Sequence, residues 1–343
     1  MRRLPLTLLL LVAGLAGVLL LALLIGPYDL SWRDALRALL AEAHLSDGGG
    51  IGERERVVVA YIRLPRVLCG MCVGAALALS GVLLQGLFRN PMASPGLIGV
   101  SAGGALAASA AIALGWGALT IWAVPTAAFL GALACAWIVY AIASRGGRTP
   151  LATLILCGLA VNSMTGALTS LVLTLSASRW EVARQILFWT LGGLNDRGWE
   201  HVAMIAPFLV FAGLGAAFFP RELNIMMTGE EAAASLGVEV AAARRWVLVL
   251  SAAAAGSAVA VAGVVGFVGL IVPHMARLLV GPDHRALLPV SALGGALFLA
   301  AMDLLARTCA GGEEISLGIL TSGLGGPFFL YLVLKHRRRA ELF

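Results

Sequence analysis

This 343-residue chain is poor in charge and almost without lysine. Asp, Glu, Lys and Arg make up 12% of it, against about 25% in soluble domains. So few charges cannot cover a surface that faces water, which excludes a soluble globular protein and a nucleic-acid-binding one. The only lysine is Lys335, between Leu334 and His336. A phosphate-binding loop ends in Gly-Lys-Ser/Thr, because the lysine must reach the terminal phosphates. No nucleotide site of that class is therefore expected, and no enzymatic activity of the chain's own. Neither a His-Glu-x-x-His pattern nor a Ser/His/Asp order occurs. His274, His284 and His336 lack ligand spacing, so no metal site and no cofactor are expected. There are five cysteines, and four of them lie inside apolar runs. Cys69-x-x-Cys72 has no second pair to complete a metal site, and is read as two small packing residues.

Long apolar runs are what the chain has instead: 60% of its residues are hydrophobic. After "MRRLPLTLLLLVAGLAGVLLLALLIG", further runs fall at about 65–88, 97–115, 119–143, 151–175, 200–219, 246–265, 267–280, 287–309 and 317–334. They are continuous rather than alternating, so the expected fold is an all-α integral membrane protein of about ten spans, one transmembrane domain over 1–343 with no second soluble domain. The first run is too long for a signal-peptide core and no cleavage site follows, so it is read as a retained helix. Even parity puts both termini on one side. Basic "KHRRRAELF" and Arg89, Arg145, Arg148, Arg221, Arg244, Arg245 and Arg285 on the same side make that side cytoplasmic. The polar stretch 27–62 becomes an outer loop. Within it "SWRDALRALLAEA" has helical spacing, with Ser31 as N-cap, and "SDGGGIG" reads as a flexible turn. The 42 glycines suit close helix packing in lipid.

Three polar features interrupt this pattern. Asp303 and Arg307 are four residues apart and can pair on one helix face, which leaves little to bind a coupling ion. Glu313 and Glu314, in the next loop, are expected to be solvated. "LFRNPMASPGLIGVSAGGA", residues 87–105, ends a helix at Asn90-Pro91 and turns the chain on the inner side, with Asn90 satisfying free backbone groups. The inner loop 221–246 carries "TGEEAAASLG", read as a short helix capped by Thr228, with acids in its first turn and Gly237 as its stop. Such a helix suits docking into a partner's groove.

Several blocks together resemble the permease subunits of type II ABC importers for vitamin B12, ferric siderophores and haem. They are "RLPRVL" (63–68), "LQGLFRNPMASPGLIGVSAGGAL" (84–106), "FWTLGGL" (188–194), "LNIMMTGEEAAASLGV" (223–238), "GVVGFVGLIVPHMARLLVGPDHR" (263–285) and "MDLLARTCAGGEEISLGILTSGLGGPFFLYLVLKHRRR" (302–339). The resemblance implies ten helices, a homodimer with the pathway between subunits, and insertion in the lipid of the bacterial inner membrane. It further implies two separate subunits that bind ATP and Mg, and a periplasmic binding protein. Loop 221–246 would be the coupling segment, with Thr228, Gly229, Glu230, Glu231, Ala232, Leu236 and Gly237 in contact with the ATPase. Arg63, Arg66 and Arg307 would receive acidic residues of the binding protein, since a guanidinium fork pairs with carboxylates. The fifth span would line the pathway with Asn162, Ser163, Thr165 and Thr169. Thr149, Pro150, Leu151 and Ala152 would form an inner gate. Haem is the favoured cargo, with cobalamin and ferric siderophores open. An ion-coupled secondary transporter and a membrane scaffold are the rival classes. Two departures stand out: Glu314-Ile315-Ser316 replaces the usual Glu-Leu-Pro, which should loosen the last helix start, and Gly192-Gly193 replaces Gly-Ser.

Overall fold

A computed structural model describes residues 4–26, 28, 30–42, 52–144, 150–309 and 314–340, and every regular element within them is helical. Helix α1 (Leu4–Leu24) is the first apolar run. Helix α2 (Trp32–Glu42) is the amphipathic outer helix. The Ser31 hydroxyl accepts from the Asp34 N–H at 3.2 Å and donates to the Asp34 carboxylate at 2.6 Å, which makes Ser31 its cap. The second span begins earlier than its apolar run. Helix α3 (Glu53–Val57) passes through a π-helical turn at Val58–Arg63 into α4 (Leu64–Leu87). Glu and Arg are good helix formers, so the helix continues where hydropathy stops. The wider turn sits just ahead of Pro65, whose ring would otherwise meet the carbonyl one turn back.

The 87–105 stretch folds as its composition suggests. Arg89 takes a left-handed conformation (φ 49°), the Asn90 side-chain oxygen accepts from the Met92 N–H at 2.9 Å, and a 3-10 turn at Pro95–Ile98 leads into α5 (Val100–Ala113). Then follow α6 (Ala123–Ala143), α7 (Leu151–Leu175), α8 (Trp180–Leu191), α9 (Trp199–Ala216), α10 (Pro220–Met226), α11 (Glu230–Ser235), α12 (Val240–Ala262), α13 (Val268–Val280), α14 (His284–Thr308) and α15 (Leu317–Ala340). Among the described residues seven helices are long and apolar enough to cross a membrane, and three shorter apolar ones accompany them: Val100–Ala113, Val268–Val280 and Leu317–Leu332. Together they match the ten runs. Two things differ from expectation. Helix α8 is an extra amphipathic helix, and the 221–246 loop holds two short helices, with α12 starting at Val240.

Helices α4 and α12 are buried along almost their whole length and form the centre of the bundle. A helix apolar on every side belongs there. Lipid supplies no hydrophobic drive for helix association, so contact depends on close backbone approach. At the α4–α14 crossing, a Cβ on Gly74 would lie 2.1 Å from the Gly295 carbonyl oxygen, and one on Gly295 would lie 2.2 Å from that of Gly74. A Cβ on Gly81 would lie 1.9 Å from the Gly269 carbonyl oxygen of α13. Between α4 and α12 the buried Ser80 and Ser251 hydroxyls are 2.6 Å apart. Cys69 lies in this same core.

At the other side of α12 three chain segments join through their backbones. Gly193 N–H donates to the Ala262 carbonyl at 2.8 Å, and Leu317 N–H donates to the Gly192 carbonyl at 3.0 Å. The start of α15 is thus fastened through its backbone beside Ser316.

Leucine at Gly74 or Gly81 should destabilise the fold by about 3 kcal/mol or more, because it must push backbone apart. Gly17→Ala, where nothing lies within 4 Å of the added carbon, should leave stability unchanged or slightly raised. Thermal unfolding of the three variants in one lipid environment checks this, and equal midpoints would contradict the packing assigned to α4.

Candidate functional site

Two polar constellations stand at opposite ends of α14, a helix of 25 residues. From His284 to Asp303 it rises about 28 Å at 1.5 Å per residue, close to the roughly 30 Å of hydrocarbon. A single continuous helix, with Pro289 inside it, therefore joins the two.

At one end is the 220–246 segment. Glycine, not Thr228, is the N-cap of α11: Gly229 has φ 124°, and the Thr228 hydroxyl donates to the Ile225 carbonyl at 2.7 Å. The helix stops as expected, at Gly237 (φ 82°). Gly237 N–H bonds to Ala234 and Val238 N–H to Ala233, which satisfies the last carbonyls. Ala233 is the buried anchor, while Thr228, Glu230, Glu231, Ala232 and Leu236 are exposed, Leu236 to 62%. The segment is bolted down twice. Arg244, buried in the first turns of α12, forms an ion pair with Glu230. Asn224 of α10 donates to Asp283 at 2.7 Å, and its side-chain oxygen accepts from the His284 N–H at 3.0 Å. The Arg285 N–H and then the Asn224 amide hold the Asp283 carboxylate below its usual value. Its contribution is therefore present at neutral pH and fades as pH falls through that lowered value. The sequence carried a signal for Asp283, which sits at N-cap position; nothing in it pointed to Asn224.

At the other end lies an ion cluster. Arg66 Nη2 is 2.9 Å from Asp303 Oδ1, and its Nη1 donates to Glu314 Oε1 at 2.8 Å. Arg66 Nη2 also donates to Glu314 Oε2 at 3.0 Å. Arg307 Nε stands 3.2 Å from Asp303 Oδ2. Two cations and two anions neutralise one another, and Asp303 is 1% exposed. The expected Asp303–Arg307 pair is present. Glu314 is an exposed loop residue, as expected, and its pairing with Arg66 also ties the approach to α15 onto α4, while Glu313 lies outside the described residues. Arg63 does not face outward either. It is 4% exposed, and its guanidinium donates to the carbonyls of Leu23 (2.6 Å), Leu24 (3.0 Å) and Tyr28. It staples the end of α1 to the head of α4.

Helix α7 is mostly exposed, with Leu156, Leu159 and Leu175 above 60%. Its polar residues divide. Asn162 donates to the Gly96 carbonyl at 2.9 Å and so holds the 3-10 turn. Thr165 is buried and bonds to Val161. Thr169 bonds to Thr165. Ser163 is exposed, with its hydroxyl on the Leu159 carbonyl. Of the four inner-gate residues, Thr149 lies outside the described residues, as do Arg145 and Arg148. Pro150 is exposed and caps α7, Leu151 opens it, and Ala152 is exposed.

A model of the FecCD transport family matches residues 10–335. A cobalamin import system permease of Halobacterium salinarum is 46% identical over 85% of this chain and 77% of its own. A hemin transport system permease of Yersinia pestis is 42% identical over 81% and 83%. An Fe(3+) dicitrate transport system permease of Escherichia coli is 37% identical over 94% and 96%. The solved structure of a transporter assigned to the metal-chelate ABC type, in an inward-facing conformation, superposes with a TM-score of 0.84 at 33% identity, over 96% of this chain and 99% of that one.

Removing Arg66 leaves the buried Asp303 carboxylate with Arg307 as its one remaining ion-pair partner among the described residues. Arg66→Gln should cost about 3 kcal/mol of stability. Glu314 is 31% exposed at its side chain, so Glu314→Gln should cost less than about 1 kcal/mol. Adding Asp303→Asn to Arg66→Gln should recover part of the loss. Unfolding midpoints in one lipid environment read all three, and an Arg66→Gln no worse than Glu314→Gln would refute this ranking.

Proposed function

The chain belongs to the FecCD transport family, and from that premise we propose that it is the permease subunit of an ATP-driven importer, working as a homodimer in the bacterial inner membrane with both termini in the cytoplasm. Its cargo is a large metal chelate or tetrapyrrole. The names of two relatives, for cobalamin and hemin, support the tetrapyrrole branch. Haem is the reading we favour within it, with cobalamin next and ferric chelates after.

The observation that carries the mechanism is α14 with a fastening at each end. Two ATP-binding subunits, which hold ATP and Mg, press on the exposed surface of Thr228, Gly229, Glu230, Glu231, Ala232, Leu236 and Gly237. Glu230–Arg244 passes the displacement to α12, and Asn224 passes it to the foot of α14. The helix carries it across the membrane to Asp303, and Arg66 passes it on to Glu314 at the head of α15. A contact on the inner face thus reaches the outer end of a span without any flexible intermediate. A periplasmic binding protein meets the outer face around Arg66 and Arg307. Carboxylates brought by that protein compete there with Asp303 and Glu314 for the same guanidinium groups. The pathway runs along α7 between two copies. Ser163 offers only a weakly polar wall, and Asn162, Thr165 and Thr169 shape it from behind. A weak wall suits a conduit, since a tight site would trap cargo. Pro150 and Ala152 stand at its inner mouth.

An ion-coupled mechanism is disfavoured by Asp303, whose carboxylate is already paired with two arginines. Such a carrier needs an intramembrane carboxylate free to take up its ion.

Reconstituted with its ATPase partner, the protein should import haem, cobalamin or a ferric chelate into proteoliposomes only with internal or external ATP at the ATPase face, and without a proton gradient. Replacing Glu230 and Glu231 by Arg should cut uptake per ATP hydrolysed by about tenfold or more. Uptake that survives without ATP and collapses with the gradient would refute the importer reading, and full uptake by the double variant would refute the coupling assignment.

A further inference from the structure

An apolar groove of about 750 Å³ lies on the flank of the bundle, away from α15 and the ion cluster, with Leu154 near the start of α7 in its lining. One wall is α6 with Leu133, Ala136 and Trp137, the other is α9 with Pro207 and Phe211, and α12 forms the floor. Four features give it a direction. Phe129 and Phe208 close one end, their ring centroids 4.4 Å apart. At the other end stands Arg245, exposed, with no carboxylate within ion-pair distance among the described residues. Its neighbour Arg244 is committed to Glu230, so the two adjacent arginines differ in what they still have to offer. Trp246, 54% exposed, stands beside Arg245, an aromatic side chain at the level where membrane aromatics gather. From Arg245 to Ala253 the floor rises about 12 Å, close to the roughly 15 Å that one leaflet contributes to the hydrocarbon.

We propose that this groove holds an acyl chain of an anionic phospholipid, with the lipid phosphate on Arg245. A detergent-like apolar occupant would satisfy the walls but leave the guanidinium without a counter-charge. A soluble anion would satisfy Arg245 but leave the walls empty. A lipid with a phosphate at one end and hydrocarbon for one leaflet at the other satisfies both. Basic sites between transmembrane helices commonly take anionic headgroups. The cytoplasmic placement of α10 and α11 proposed above assigns the lipid to the inner leaflet; the binding itself does not rest on that placement.

The test uses the full-length protein with its ATPase partner in nanodiscs of mixed phosphatidylglycerol and phosphatidylcholine, followed by extraction and counting of retained lipid by native mass spectrometry. Wild type should retain phosphatidylglycerol in preference to phosphatidylcholine by about fivefold, the scale of one arginine near an anionic lipid. Arg245→Gln, at an exposed position, should abolish the preference while still retaining some lipid. Val249→Trp, at a half-exposed position of the floor, should fill the groove and lower retention of both lipids. Equal retention of the two lipids by wild type, or an unchanged preference in Arg245→Gln, would overturn the headgroup assignment. Stabilisation by inorganic phosphate equal to that by phosphatidylglycerol would overturn the lipid in favour of a free anion. Loss of the dimer in Val249→Trp with lipid retention intact would overturn it in favour of a second copy covering the groove.

Discussion

Everything in this bundle depends on how closely backbones approach α4. In lipid, burying leucine against leucine gains little, because the alternative surroundings are just as apolar. Dispersion between well-fitted surfaces and a few buried hydrogen bonds must supply the cohesion. Gly74 against Gly295 and Gly81 against Gly269 bring main chains together where even one methyl group would intrude. The Ser80–Ser251 contact adds a polar tie in the same layer. This explains why α4 and α12, the least lipid-exposed helices, are rich in Gly, Ala and Ser rather than in large side chains.

Around that rigid centre the polar groups are few, and several of them act as fasteners. Arg63 secures α1 to the head of α4, Asn224 secures α10 to α14, Arg244 secures α11 to α12, and Arg66 secures α15 to both α4 and α14. In a medium without competing water such links hold more firmly than on a wet surface. The protein thus places several of its scarce charges at helix ends, where they join elements that would otherwise meet only through apolar contact.

Much of this was legible in the chain. The ten apolar runs, the Ser31 cap, the stop at Gly237 and the Asp303–Arg307 pair are all local patterns, and local patterns survive folding. The exposure of Thr228, Glu230, Glu231, Ala232 and Leu236 was legible too, because an acid-rich turn between long apolar runs has nowhere to bury itself. What could not be read was the direction of individual side chains. Arg63 and Arg66 are three residues apart, yet one points into backbone carbonyls and the other into carboxylates 237 and 248 positions away. Thr228 looked like a cap because its residue type favours that role. The extended glycine after it took the place, since Gly229 reaches a φ closed to Thr. Glu314 is exposed as its loop position suggests, but its pairing with Arg66 could not be read, because that partner comes from another part of the chain.

The junction of Gly192–Gly193, Ala262 and Leu317 is made of peptide groups alone. Side-chain chemistry has no hold on it, so neither pH nor salt nor a change of cargo polarity will loosen it. Three helix ends hooked together in this way are biased to move together. A rearrangement near them should therefore shift the trio, hinge-fashion, before it separates a single helix.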